Sequence, residues 1–250
     1  GSILNIAVGL GRMQVPVAFL SRLSTDLFGE MLAGHLSANG VSLQYCPRVP
    51  GQTTLAFVSL DGEASQEPQY AFYSERAVDR TMTLQDLPSD LPEETQALHF
   101  GSISLVLEPG ASTLETLMQR ESRKRILTLD PNVRPIVIKD WHAYRTRFEG
   151  WLSLVDVLRL SQVDLEHLYP EEKLSDLLPR WFDSGLALII LTQGTQGASA
   201  YTPTGLEVFV PTQKVAVKDT VGAGDTFFSA VLTYLHEHHL LYDRQEIAGL

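Results

Sequence analysis

The chain has 250 residues, 44% of them apolar and 20% charged, the profile of a soluble globular protein with one sizeable core. A net charge of −11 argues against a nucleic-acid partner, because binding a phosphate backbone needs a basic face; a few local donors still suffice for a small phosphate ligand. The single cysteine, Cys46, excludes an intrachain disulfide and fits a reducing cytoplasm, and the longest apolar run, 186–191, is far too short to span a membrane.

In chain order, residues 3–12 read as a helix despite Gly9 and Gly11, and Val17–Leu20 as a short strand. Thr25 or Asp26 can cap a second helix with Leu27, Phe28, Met31, Leu32 and Leu36 on one face, ended by Gly40. Residues 43–79 are β-rich, with strands at 53–60 and 70–73 and a turn signal at Asp61-Gly62, which predicts a small antiparallel flap. From residue 97 strands and helices alternate. Strands are expected at 97–100, 126–130, 157–160 and 187–192. A helix should open at the capping box Ser112-Thr113-Leu114-Glu115, another should cover 140–154, and two short ones should precede residue 187. The last helix begins near Asp225, with Phe227, Phe228, Val231, Leu232 and Leu235 as its apolar stripe. Such alternation predicts a single α/β/α domain over 1–250, with a mostly parallel sheet covered on both faces.

The stretch with the most chemistry is Asp219-Thr220-Val221-Gly222-Ala223-Gly224-Asp225-Thr226. A turn of small residues runs into an amphipathic helix, so backbone N–H groups point outward at the helix's positive end and can hold an anion. Glycines let that backbone approach closely. An anion cradle beside the Asp225 carboxylate is what phosphoryl transfer to an alcohol needs: amides for the developing charge and a base for the hydroxyl proton. Gly9-Leu10-Gly11, by contrast, lies inside a helix and is no dinucleotide fingerprint. His236, His238 and His239 read as a solvated helix end.

These residues resemble the C-terminal signature of the ribokinase-like, PfkB-type carbohydrate kinases, and the resemblance runs in order along nearly the whole chain. Asn5-Ile6-Ala7-Val8-Gly9-Leu10-Gly11-Arg12 is similar to the helix after that family's Gly-Gly motif, with Gly1 in place of the second glycine. Ser24-Thr25-Asp26-Leu27-Phe28-Gly29 resembles its G-x-D-x-F-G block. Ser59-Leu60-Asp61-Gly62, Phe72-Tyr73 and Asp130-Pro131-Asn132-Val133-Arg134-Pro135 are closest to the bacterial fructokinase branch. The family's first strand and its C-terminal helices have no counterpart in the sequence.

The resemblance implies a three-layer ribokinase-like fold with a β lid at about 43–79, and an ATP- and Mg²⁺-dependent sugar kinase, cytoplasmic, acting by preference on fructose. Asp225 would be the base, Gly222, Ala223 and Gly224 the anion hole, and Arg134 a clamp on the moving phosphate. Gly1, Asn5, Phe72, Asp130 and Asn132 would contact the sugar, and Ser161, Thr192, Gly194 and Gly197 the nucleotide. Ser161-Gln162-Val163-Asp164 stands where the family carries N-x-x-E, which leaves Asp164 either a Mg²⁺ contact or a structural acid. Asp219 and Thr220 fit a K⁺ loop and a plain turn equally. A homodimer through the lid is expected. The alternatives are a 2-keto-3-deoxygluconate kinase, a nucleoside kinase, or a kinase-shaped binding protein; Ser74, where acid-sugar relatives carry arginine, favours a neutral sugar.

Overall fold

The computed structural model describes residues 1–59, 69–213, 215 and 219–250, so Leu60 and the expected Asp61-Gly62 turn lie outside the described residues. The N-terminal part contains α1 (Ser2–Arg12), β1 (Val17–Leu20), β2 (Leu23–Ser24), α2 (Leu27–Ala38), β3 (Val41–Tyr45) and β4 (Arg48–Val49). A hairpin follows, β5 (Leu55–Ser59) and β6 (Gln69–Tyr73). Next come β7 (Ala97–Gly101), α3 (Gly110–Glu121), β8 (Ile126–Asp130), α4 (Trp141–Leu152), β9 (Val157–Ser161), α5 (Gln162–Leu168) and α6 (Leu174–Ser184). The chain continues through β10 (Leu188–Thr192), β11 (Gly197–Tyr201), β12 (Glu207–Pro211), α7 (Ala223–Glu237) and α8 (Arg244–Ala248).

The central sheet has the order β12-β11-β10-β9-β8-β7. β7 to β10 are parallel, and β11 and β12 add an antiparallel edge that the strand–helix reading did not anticipate. Because strands alternate their side chains, β8 to β10 need apolar residues on both faces. Leu127, Leu129, Leu158, Leu160, Ile189 and Leu191 pack on one side against Phe148, Trp151 and Trp181 of α4 and α6. Ile126, Val157, Leu188 and Ile190 pack on the other against Ile6 of α1 and Phe228 and Leu232 of α7. The result is the three-layer α/β/α arrangement.

Three local expectations are corrected. The flap is smaller than 43–79: β3 and β4 pair in parallel with β1 and β2, and only β5 and β6 are antiparallel. α3 starts before the Ser112 box, because the Glu108 carboxylate already accepts the Ser112 N–H (3.1 Å). On α2 the expected stripe splits: Leu32 and Leu36 pack inward as read, together with Gly29 and Ala33, whereas Leu27, Phe28 and Met31 are exposed. The reason is close approach, since any Cβ at Gly29 would run into the Ser24 backbone.

Candidate active site

The site is built where α1 and α7 cross. The helices lie so close that a Cβ at Gly9 would collide with Ser229, which explains a helix-weakening glycine inside α1. Ser2 and Asn5, three residues apart, share the face of α1 that meets α7. The hydroxyl of Ser2 donates to Asp225 Oδ1 (2.6 Å) and Asn5 Nδ2 donates to Oδ2 (2.7 Å). Asp225, only 7% exposed, is therefore fixed at the first turn of α7, where a carboxylate also meets the positive helix end. Asn5, expected to touch sugar, lines the cleft while its amide N–H₂ holds the carboxylate; Ser2 was not foreseen.

Gly222 caps α7 in the left-handed region (φ 79°), a conformation that suits glycine. Of the three amides expected to form the anion hole, that of Ala223 is engaged, donating to the Thr220 carbonyl (3.2 Å) as the turn closes. Among the described residues the N–H groups of Gly222, Gly224 and Asp225 have no such partner. Asp219 Oδ1 accepts the Val221 N–H (2.8 Å) and so shapes the same turn.

Opposite α7 lie the carboxyl ends of β8, β9 and β10. Asp130 is fully buried rather than open to a sugar. Its Oδ1 accepts the Asn132 N–H (3.0 Å) and its Oδ2 pairs with Arg159 Nη1 (2.7 Å). Burial pushes this carboxyl up to about 6; Arg159 pulls the other way, and Asp164 and Asp225 add to the rise. Asp130 thus anchors the strand end, a correction to its expected role as a sugar contact. Asn132 and Arg134 remain on the cleft wall, with Arg134 Nη1 donating to the Val133 carbonyl (2.9 Å).

Asp164 spends both oxygens inside the chain. Oδ1 accepts from Val133 N (2.7 Å), and Oδ2 from Ser161 N (2.8 Å) and Ser161 Oγ (2.6 Å) in a capping box on α5. Ser161 and Thr192 are register partners on β9 and β10. Gly194 (φ 56°) and Gly197 (φ 137°) shape the turn into β11. That turn lies outside the walls of the main cleft.

The cleft itself, ≈ 1690 Å³, is walled by Gly1, Asn5, Gly222, Gly224 and Asp225 on one side and by Asn132 and Arg134 on another, with Phe72 of the hairpin lining it as well. It brings together two buried carboxylates, Asp225 and Asp164, outward amides at a helix start, and a lid strand. Arg159, which also lines it, was missed in the sequence. Its signal was a lone charge in the otherwise buried Val157-Leu158-Arg159-Leu160 strand.

Comparison with known proteins gives the arrangement its context. The model of the pfkB family carbohydrate kinases matches residues 1–243. A fructokinase of Rhizobium leguminosarum bv. trifolii is 40% identical over 246 residues, covering 98% of this chain and 74% of that protein. The crystal structure of a fructokinase with bound ATP from Xylella fastidiosa has a TM-score of 0.86 at 25% identity, covering all of this chain and 80% of that one. A Vibrio cholerae O395 fructokinase, solved with fructose, ADP and potassium ion, likewise has a TM-score of 0.86 at 25% identity and covers all of this chain and 79% of that one.

Proposed function

The chain belongs to the pfkB family of carbohydrate kinases, and on that footing we propose that it moves the γ-phosphoryl group of ATP onto a hydroxyl of fructose. The observation that carries this reading is the Asp225 carboxylate, held by Ser2 and Asn5 beside the amides that open α7. Asp225 takes the proton of the sugar hydroxyl as that oxygen bonds to the γ-phosphorus. The bond from that phosphorus to the bridging oxygen breaks, ADP leaves, and the proton stays on the carboxylate. The N–H groups of Gly222, Gly224 and Asp225 hold the charge spread over the moving phosphoryl oxygens. Arg134 reaches the same group from the opposite wall.

Phe72, Asn132, Gly1 and the Asn5 carbonyl oxygen would face the sugar. Arg76, just past β6, is exposed, and Ser74 is buried, which favours a neutral sugar over a carboxylated one. Ser161, Thr192, Gly194 and Gly197 would meet the nucleotide through the strand ends and the turn that follows. Among the described residues no three metal-ligating side chains cluster. Mg²⁺ would arrive with ATP, and Asp164 would be this chain's contribution to holding it. Bound there, the ion neutralises phosphate charge. A K⁺ site at the Asp219–Thr220 turn is part of the proposal; a Vibrio cholerae fructokinase double mutant was solved with potassium ion bound.

Closure of the hairpin would exclude water and favour the sugar over hydrolysis. Its outer face shows Phe57 and Tyr73 edge-to-face at 5.6 Å and both exposed, the patch through which a homodimer would pair. Among the described residues no helix is long and apolar enough to cross a membrane, and we place the enzyme in the cytoplasm.

The test is fructose-dependent ADP release by the protein and by Asp225→Asn. The variant should lose about 10²–10⁴-fold in kcat. Turnover independent of sugar, or equal rates from both proteins, rejects the assignment.

A further inference from the structure

We propose that Arg159 is a positioning residue for phosphoryl transfer, holding a fixed positive charge directly beneath the anion-binding turn of α7. The proposal rests on the kinase reading, and it concerns a residue which that reading leaves without a role.

Arg159 sits in the middle of β9 between Leu158 and Leu160, and is itself only 5% exposed. A guanidinium in such a place is strongly unfavourable unless its charge is answered. Nη1 pairs with Asp130 Oδ2 (2.7 Å) and Nη2 donates to Thr192 Oγ1 (2.6 Å), so one side chain ties together the carboxyl ends of three adjacent strands. Its buried Nε has no hydrogen-bond partner. The polar network is thus incomplete on the side chain that lines the cleft.

What lies over the guanidinium decides its meaning. A Cβ at Gly224 would stand 2.6 Å from Nη2, 3.0 Å from Nη1 and 3.1 Å from Cζ. The second residue of α7 therefore rests on the guanidinium, and a side chain there would have to push that group aside. The amides that would receive the phosphoryl and the charge that would attract it belong to one packed unit. The neighbourhood is otherwise acidic, since Asp164 and Asp225 both raise the Asp130 pKa. A nucleoside triphosphate approaching the other two carboxylates, Asp164 and Asp225, is helped by a cation that is already in place.

A plain structural role is the competing explanation: Arg159 serves only as counter-ion to Asp130. The two separate in an Asp130→Asn background, where no counter-ion is needed. There, adding Arg159→Met should lower kcat by about tenfold or more, with KM for fructose within about threefold. Arg159→Lys in the same background should recover most of that loss, because the charge returns. A second variant, Gly224→Ala in the native background, displaces the guanidinium without removing charge, and should also slow kcat by about tenfold or more. Unfolding midpoints for each variant identify those that fold.

Equal kcat for Asp130→Asn and Asp130→Asn/Arg159→Met would overturn the proposal, as would an effect confined to KM or a Lys variant no better than Met. If the double variant does not fold, normal turnover by Gly224→Ala overturns it alone. Failure of the kinase reading looks different, because the native protein would then release no ADP with fructose.

Discussion

The two faces of the central sheet are built to different ends. Toward α3 to α6, every inward residue of β8, β9 and β10 is apolar, and the layer closes over Phe148, Trp151 and Trp181, each at most 2% exposed. Toward α7 the same strands begin apolar, with Ile126, Val157 and Leu188, and end polar, with Asp130, Arg159 and Thr192. Strand alternation alone permits this, because consecutive residues serve opposite layers. One face can be optimised for packing while the other carries charge toward the cleft. Both faces pack a core, and the charged strand ends lie on only one of them, one residue apart from the fully apolar face.

The strongest way to break this comparison is to cut into the apolar face. Phe148 is fully buried, with ring contacts to Trp151 and Tyr169 at centroid distances of 6.3 Å. Phe148→Ala should cost about 3–5 kcal/mol of unfolding free energy through lost transfer and a residual cavity. Urea denaturation reads that loss, and the kcat of the folded protein should stay within about twofold of the parent. A small stability loss, or a kcat that collapses while the fold persists, would show that the faces are not separate.

The polar side also contains a residue whose cost appears with pH. His99 on β7 is half-buried, its Nδ1 is 2.9 Å from Thr128 Oγ1, its enclosed Nε2 lacks a partner, and its ring stands edge-on to Phe228 at 5.2 Å. Burial, with Arg159 nearby adding to it, holds the imidazole down at about 3. The folded protein keeps His99 neutral while the unfolded chain takes up a proton below about 6.5, so stability falls as pH drops from there toward 3. Between pH 7 and pH 5 this amounts to about 2 kcal/mol. His99→Gln should lose that much less over the same interval, read as the difference in urea midpoints. Parallel pH profiles for the two proteins would remove His99 from the account.

Legibility in the sequence follows the same division. The apolar strands and the α7 motif were readable because each is local: a run of buried residues, or glycines beside an aspartate before an amphipathic helix. The Asp225 carboxylate was placed at the start of α7 that way. Its partners were harder, since Ser2 and Asn5 lie 223 and 220 positions away and meet it only because Gly9 lets two helices touch. Asp130 was read as facing the sugar because its motif sits on the ligand rim; strand parity turns it beneath α7, where Arg159 receives it. α2 misled for a related reason. Its large apolar residues marked a face, but the side that packs is the one small enough to approach β2.

Off the sheet, the smallest effect should separate a helix cap from a lid tether. Asp26 caps α2 by accepting the Gly29 N–H on Oδ1 (2.7 Å), and it also accepts from Thr53 Oγ1 (2.6 Å) and Thr53 N (2.8 Å), just before β5. The Thr53 hydroxyl chiefly, with those amides, holds its carboxyl down at about 2. Because the folded value is depressed, the stabilisation is present above the ordinary carboxylate range and is lost as pH falls toward 2. Asp26→Ala should cost about 1 kcal/mol for the lost cap and raise KM for fructose severalfold as the hairpin base loosens. Asp26→Asn keeps an acceptor for Gly29 but turns an NH₂ toward the Thr53 N–H. It should recover most of the stability and little of the KM. If Asn restores both, the tether to β5 has no part in holding the lid, and Asp26 is a helix cap alone.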